Sequence, residues 1–143
     1  MALDITAARG AMTGARYIES LRDGREVWMD GKRIDDVPSH PAFSGMVNEL
    51  ARIYDLQHSS EFQDTMTFVS PESGNRCSMS WLIPRSADDL KKKRRNSEVW
   101  TSQSWGQLGR APDVLAPYII SLYRSRGKLS SVKHPQCDFG ENV

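Results

Sequence analysis

Apolar residues recur along this chain at two different spacings, and the switches between them mark its elements. In "GARYIESLRDG", residues 14–24, Tyr17, Ile18 and Leu21 fall on one side of a helix, with Thr13 placed to cap it and Gly24 to stop it. "REVWMDGKRIDDV" then alternates with period two, Val27 and Met29 against Trp28, and Asp30-Gly31 suits the positive φ angles of a type I′ turn. That pattern predicts a hairpin. "SHPAFSGMVNELARIYDLQH", residues 39–58, returns to three- and four-residue steps through Phe43, Met46, Val47, Leu50, Ile53 and Tyr54. Pro41 sits just inside the start of this helix, with Ser39 or His40 near its cap.

Further on, "TMTFVSPESGNRCSMSWLIP" predicts two strands around a Pro-Glu-Ser-Gly-Asn turn. Ser86 opens the next helix, with Asp88 and Asp89 in its first turn, where carboxylates meet the positive end of the helix dipole. The pattern carries it to about Leu108. A last helix starts near Pro112 in "PDVLAPYIISLYRSRGKL", with Leu115, Ile119, Leu122 and Tyr123 expected to face inward. Pro117 falls in its first two turns, where a missing N–H is tolerated. The fold class expected is mainly α with two small β-hairpins (α+β): a loose arm over 1–12, then one helical domain over 13–143.

Length suits one domain with its own core. Nineteen basic residues against eighteen acidic ones leave a charge of +1, so no global field draws the chain to nucleic acid or to an anionic membrane. The dense run "KKKRR" at 91–95 lies within a helical pattern and reads as a solvated face. Cys77 and Cys137 belong to no CxxC or Cys/His cluster, which suggests free thiols in a reducing cytoplasm. No apolar run approaches the ~20 residues of a membrane span, and the N-terminus lacks a signal-peptide pattern. The end of the sequence is unusual: "DFGEN" spaces Asp138 and Glu141 like a capping box, two residues before Val143. A helix that cannot complete two turns is unstable in water, so the chain is expected to be the front part of something longer.

Candidate chemistry is sparse. His40, His58 and His134 sit at helix ends or in turns, without the i,i+4 or Cys/His spacing of a zinc site. No G-x-S-x-G, P-loop or G-x-G-x-x-G motif occurs. Trp100 and Trp105 lie five apart, which allows two core tryptophans, or one in the core and one lining a groove. What remains is "SWGQLGRAPDV", residues 104–114. There Arg110 immediately precedes a helix N-terminus, so a planar five-donor cation and free backbone N–H groups converge on one corner. Such a corner suits an oxyanion, a phenolate or a flavin carbonyl. A surface arginine packing its stem on Trp105 explains the residue equally well.

Taken in order and spacing, "YIESLRDGREVWMDGKRIDDVPSHPAF", "YDLQH", "SADDLKKKR", "LGRAPDV" and "FGENV" resemble the N-terminal part of the 4-hydroxyphenylacetate 3-hydroxylase family. The resemblance runs from about Thr13 onward. It implies the oxygenase component of a two-component aromatic monooxygenase, acyl-CoA-dehydrogenase-like, with a helical N-terminal domain, a central β-barrel and a C-terminal bundle, usually homotetrameric. It further implies FADH2 supplied by a separate flavin reductase, and O2-dependent hydroxylation of a phenol ortho to its OH. By the family's "GR-x-PD" motif, Arg110 would line the pocket near the substrate hydroxyl and the flavin. Hydroxyphenylacetate hydroxylases typically place tyrosine after the "PD" pair, where this chain has Val114. Valine offers no hydrogen bond, which points to a different phenol. The family's catalytic histidine and most flavin contacts lie beyond "FGENV", so no catalytic residue is expected within these residues. Alternatives are a non-catalytic assembly module or truncated remnant, and a 4-hydroxybutyryl-CoA dehydratase-type lyase, against which the "GRAPD" corner speaks.

Overall fold

The computed structural model describes residues 10–106 and 112–125. Helix α1 (Gly14–Ser20) begins where Thr13 Oγ1 accepts from the Arg16 amide at 3.2 Å. It ends a turn before Gly24, with Leu21 at the cap. Strands β1 (Val27–Met29) and β2 (Lys32–Ile34) pair antiparallel, Val27 opposite Ile34 and Met29 opposite Lys32. Asp30 at φ 51° and Gly31 at φ 73° make the left-handed turn that the Asp-Gly pair demands.

Helix α2 (Pro41–Leu56) is capped by His40, whose Nδ1 accepts from the Ala42 amide at 3.2 Å. Its buried residues are Val47, Ala51 and Ile53, while Met46, expected to face inward, is exposed. The inner stripe turns toward Ala51 because α1 crosses there at close range. A Cβ built on Gly14 would stand 2.5 Å from the Ala51 carbonyl oxygen.

The short helix α3 (Gln63–Met66) leads into β3 (Thr67–Val69), which pairs antiparallel with β4 (Arg76–Ser78), Phe68 opposite Cys77. Gly74 at φ 71° closes the turn between them. A 3-10 turn over Met79–Trp81 follows in place of further strand. Cys77 is buried and disulfide-bonded, which corrects the expected free thiol. Its partner lies outside the described residues. Two isolated cysteines carry no spacing signal, so only the fold decides whether they join.

Helix α4 (Ala87–Ser104) starts in a complete capping box. The Asp89 amide donates to Ser86 Oγ at 3.1 Å, and the Ser86 amide donates to Asp89 Oδ2 at 3.1 Å. The helix stops a full turn short of Leu108. Trp105 takes the left-handed conformation (φ 52°, ψ 29°) and the Gly106 amide donates back to the Thr101 carbonyl at 3.0 Å. The core lies between α2, α3 and α4: Ile53, Met66 and Trp100, with Tyr54, Leu56, Phe62 and Val99 packed around them. Tyr54 meets Trp100 edge-on at 5.6 Å between ring centroids, and Tyr17 meets Tyr54 at 5.1 Å.

Helix α5 (Pro112–Arg124) packs on the 3-10 turn and on α4. It buries Ala116 and Ile120, whereas Leu115, Ile119 and Leu122, expected inside, are exposed and Tyr123 is half-buried. Two neighbouring faces of α5 are apolar, so periodicity could not choose between them; small Ala116 permits the closer approach.

Candidate functional site

The corner between α4 and α5 is the place to look for Arg110. That residue, with 107–109 and 111, lies outside the described residues; both walls of the corner are described. On one side Trp105 is 89% exposed at the left-handed C-cap of α4. Trp100, five residues back, is 1% exposed in the core. The reading of two core tryptophans is thus corrected. Five residues on, the helix already points Trp105 away from the stripe that Trp100 occupies, and the left-handed cap ends the helix there. On the other side Val114 is the third residue of α5 and is 39% exposed. The first turn of α5 carries backbone N–H groups that the helix itself leaves without an acceptor.

The acidic side chains with perturbed protonation are held in structural pairs. Arg25 beside Asp23 holds that carboxyl down at about 2. A hydrogen bond from Ser39, then one from Arg22, lowers Asp36, and Arg52 lowers Glu49. Asp89 is lowered by the Arg85 amide first and by Ser86 next. Groups held ionised in this way are poor proton donors near neutrality. Burial pushes the Tyr54 hydroxyl up to about 12, so it stays protonated near neutrality and is a poor acid. His40 is spent on capping α2, and His58 Nε2 lies 3.2 Å from the Met12 carbonyl oxygen. His134 lies outside the described residues. Among the described residues no cluster of His, Cys, Asp or Glu could hold a metal ion.

One polar contact went unread in the sequence. Lys93, inside the basic run, turns inward and donates to the Ser80 carbonyl at 2.6 Å, while buried Asn96 donates to Ser80 Oγ at 3.1 Å. These bonds tie α4 to the 3-10 turn against which α5 rests. The signal available was Asn96 itself, a polar residue four before Trp100 on the inner stripe. The rest of the basic run is solvated: Lys91 pairs with Asp88 and Arg94 with Glu98 on the exposed face.

An apolar helix face that begins at a helix N-terminus suits a flat aromatic ligand with an electron-rich oxygen. Residues 13–143 match the family model for the N-terminal part of 4-hydroxyphenylacetate 3-hydroxylase, and the chain belongs to that family. It is 35% identical over 93% of its length to the 4-hydroxyphenylacetate 3-monooxygenase oxygenase component of Thermus thermophilus, covering 26% of that protein. It is 42% identical over 78% of its length to the 4-nitrophenol 2-monooxygenase oxygenase component of a Rhodococcus species, covering 22% of it. Among solved structures it resembles the oxygenase component of 4-hydroxyphenylacetate 3-monooxygenase complexed with FAD and 4-hydroxyphenylacetate. There the TM-score is 0.78 at 34% identity, over 85% of this chain and 25% of that one. The chain thus spans about a quarter of the length of such relatives. No helix among the described residues is long and apolar enough to cross a membrane.

Proposed function

We propose that this chain is the N-terminal part of a flavin-dependent oxygenase that hydroxylates a phenol ortho to its OH, taking FADH2 from a separate reductase and O2. The observation that carries the reading is the match across 13–143, joined to the fold shared with an oxygenase that holds FAD and a phenolic acid. The described residues fit one wall of such a site. Val114 and the apolar face behind it suit a flat ring, and the α5 N-terminus suits a phenolate or a flavin carbonyl. The flavin, when bound, supplies the oxygen-activating chemistry.

In this reading Arg110 places its guanidinium at the substrate hydroxyl and stabilises negative charge there. Val114 presents a methyl surface where a hydrogen-bonding side chain would hold a more polar phenol, and so biases the substrate class. The enzyme is a homotetramer working in the cytoplasm with its reductase. The Cys77 disulfide pulls against that compartment, because cytosolic thiols are ordinarily kept reduced. Thiol titration of the native protein from its own cells measures this directly.

The second reading is a non-catalytic module or remnant of such an enzyme. Reading the DNA past codon 143 separates the two: a continuing frame fits the enzyme, an immediate stop fits the remnant. For the enzyme, the deciding assay offers a panel of phenols to the protein of the complete reading frame, with a generic flavin reductase, NADH, FAD and O2. Hydroxylated product is expected; a folded, flavin-loaded protein that leaves every phenol intact would refute the oxygenase.

A further inference from the structure

Lys93 departs from the basic run it belongs to. Among residues 91–95 it is half-buried where the other four are exposed, and its ammonium donates to the Ser80 carbonyl at 2.6 Å. A lysine ordinarily keeps its head in water and lays only its stem on the protein. One helical turn further, Asn96 is buried and donates through Nδ2 to Ser80 Oγ at 3.1 Å, while its Oδ1 meets no partner among the described residues. Ser80 is buried too. Two side chains of α4 thus grip one residue of the 3-10 turn, the first by its backbone and the second by its hydroxyl.

Stability alone does not account for this grip. A buried amide with an unpaired acceptor costs stability, and an apolar side chain of similar size would fill the place at less cost. What the two bonds add is position. A charge-assisted bond to a carbonyl and an amide–hydroxyl bond are directional, so they hold the turn in one register on α4 where apolar contact would let it slide. Helix α5 packs on that turn and on α4, and Ala116, the first residue it buries, stands two residues after Val114. A helix shifts as a rigid element, so the turn that seats α5 also sets where Val114 and the helix N-terminus stand.

We propose that Lys93 and Asn96 are positioning residues for the phenol subsite: through Ser80 they hold the first turns of α5, and with them Val114, in the place the substrate ring requires. Reacting groups tolerate little misplacement, so a site is only as well ordered as the element that carries it. This role rests on the proposed oxygenase; the tie between α4, the turn and α5 rests on the two bonds and the packing.

The test compares Lys93→Met, Lys93→Arg and a double variant, Ser80→Ala with Asn96→Leu, which removes both partners of one bond and leaves neither unpaired. In the 143-residue chain, amide exchange across α5 should quicken about tenfold in Lys93→Met and in the double variant. Ile53 and Met66, in the core, should exchange as slowly as before, and the urea midpoint of the double variant should not fall. The protein of the complete reading frame is then assayed with a generic flavin reductase, NADH, FAD and O2. For whichever phenol the unaltered protein hydroxylates, KM should rise about tenfold in both variants, with more of the reduced flavin ending in hydrogen peroxide. Lys93→Arg keeps a cationic donor and should restore most of the loss. Exchange unaltered in both variants overturns the tie. Quickened exchange with KM and peroxide yield unchanged leaves the bonds purely structural and overturns the positioning role, as does a fall in kcat alone that matches a loss of folded protein. No hydroxylation by the unaltered protein removes the oxygenase and the positioning role together, while exchange still decides the tie.

Discussion

The Gly14 amide donates to Asp55 Oδ1 at 2.7 Å, joining the first turn of α1 to the last turn of α2. One carboxylate thereby satisfies an amide that helix geometry leaves unpaired, and its charge faces the positive end of α1. The approach is close because Gly14 has no side chain: a Cβ there would meet the Ala51 carbonyl oxygen at 2.5 Å and Asp55 Oδ2 at 2.6 Å. Gly14→Ala should therefore destabilise the chain by about 1–3 kcal/mol, the cost of overpacking against a backbone that cannot yield. Asp55→Asn keeps an acceptor and should cost less than Asp55→Ala. Urea unfolding of the three variants checks both statements, and an unchanged midpoint for Gly14→Ala would remove the close crossing.

The capping box makes a similar prediction at α4. Ser86→Ala deprives the Asp89 amide of its partner and should cost about 1 kcal/mol. Ser86→Asp restores a capping oxygen and should recover most of the loss in the same denaturation experiment.

Tyr54 gives the fold a pH dependence at the alkaline end. Its hydroxyl is pushed up from 10.0 to about 12 by burial, so the unfolded chain ionises first as pH rises. Stability from this group is complete below pH 10 and falls between about 10 and 12, where the folded hydroxyl also ionises. At about 1.4 kcal/mol per pH unit, the loss is on the order of 2–3 kcal/mol. Absorbance titration at 295 nm should show Tyr54 ionising last, after Tyr17, which burial also raises, and Tyr54→Phe should remove both that last step and the steepest part of the stability decline. A simultaneous titration of all four tyrosines would contradict the burial of this side chain.

Trp105 holds a left-handed conformation, φ 52°, that glycine adopts without strain, and at 89% exposure it has little packing to lose. Trp105→Gly should raise the stability of the 143-residue chain by about 1 kcal/mol. In the complete protein the same change should weaken substrate or flavin binding if the indole lines the corner. A variant that loses stability would mean that the indole packs on the fold after all.

Much of this fold was legible because local rules and global packing agree. Asp30-Gly31, Thr13, His40 before Pro41, and the Ser86/Asp89 pair each specify a turn or a cap by side-chain chemistry alone. What escaped depends on distance and neighbours. Met46 and Ala51 compete for the inner face of α2, and only the close crossing at Gly14 favours the smaller residue. On α5 the choice between Ile119 and Ile120 is set by the 3-10 turn, an element that no periodicity announces. The end of α4 moved because Trp105 adopts the left-handed cap, an unusual place for tryptophan. At the corner itself, Val114 is placed on an exposed helix face, and the pocket roles of Arg110 and Val114 rest on the proposed enzyme.

The most direct measurement is phenol hydroxylation by the complete reading-frame protein, its Arg110→Ala variant and the 143-residue chain, each with reduced FAD and O2. The account predicts product from the complete protein, about a hundredfold less from Arg110→Ala for the loss of roughly 3 kcal/mol of charge stabilisation, and none from the 143-residue chain. Product from the 143-residue chain alone, or undiminished turnover in Arg110→Ala, would contradict it.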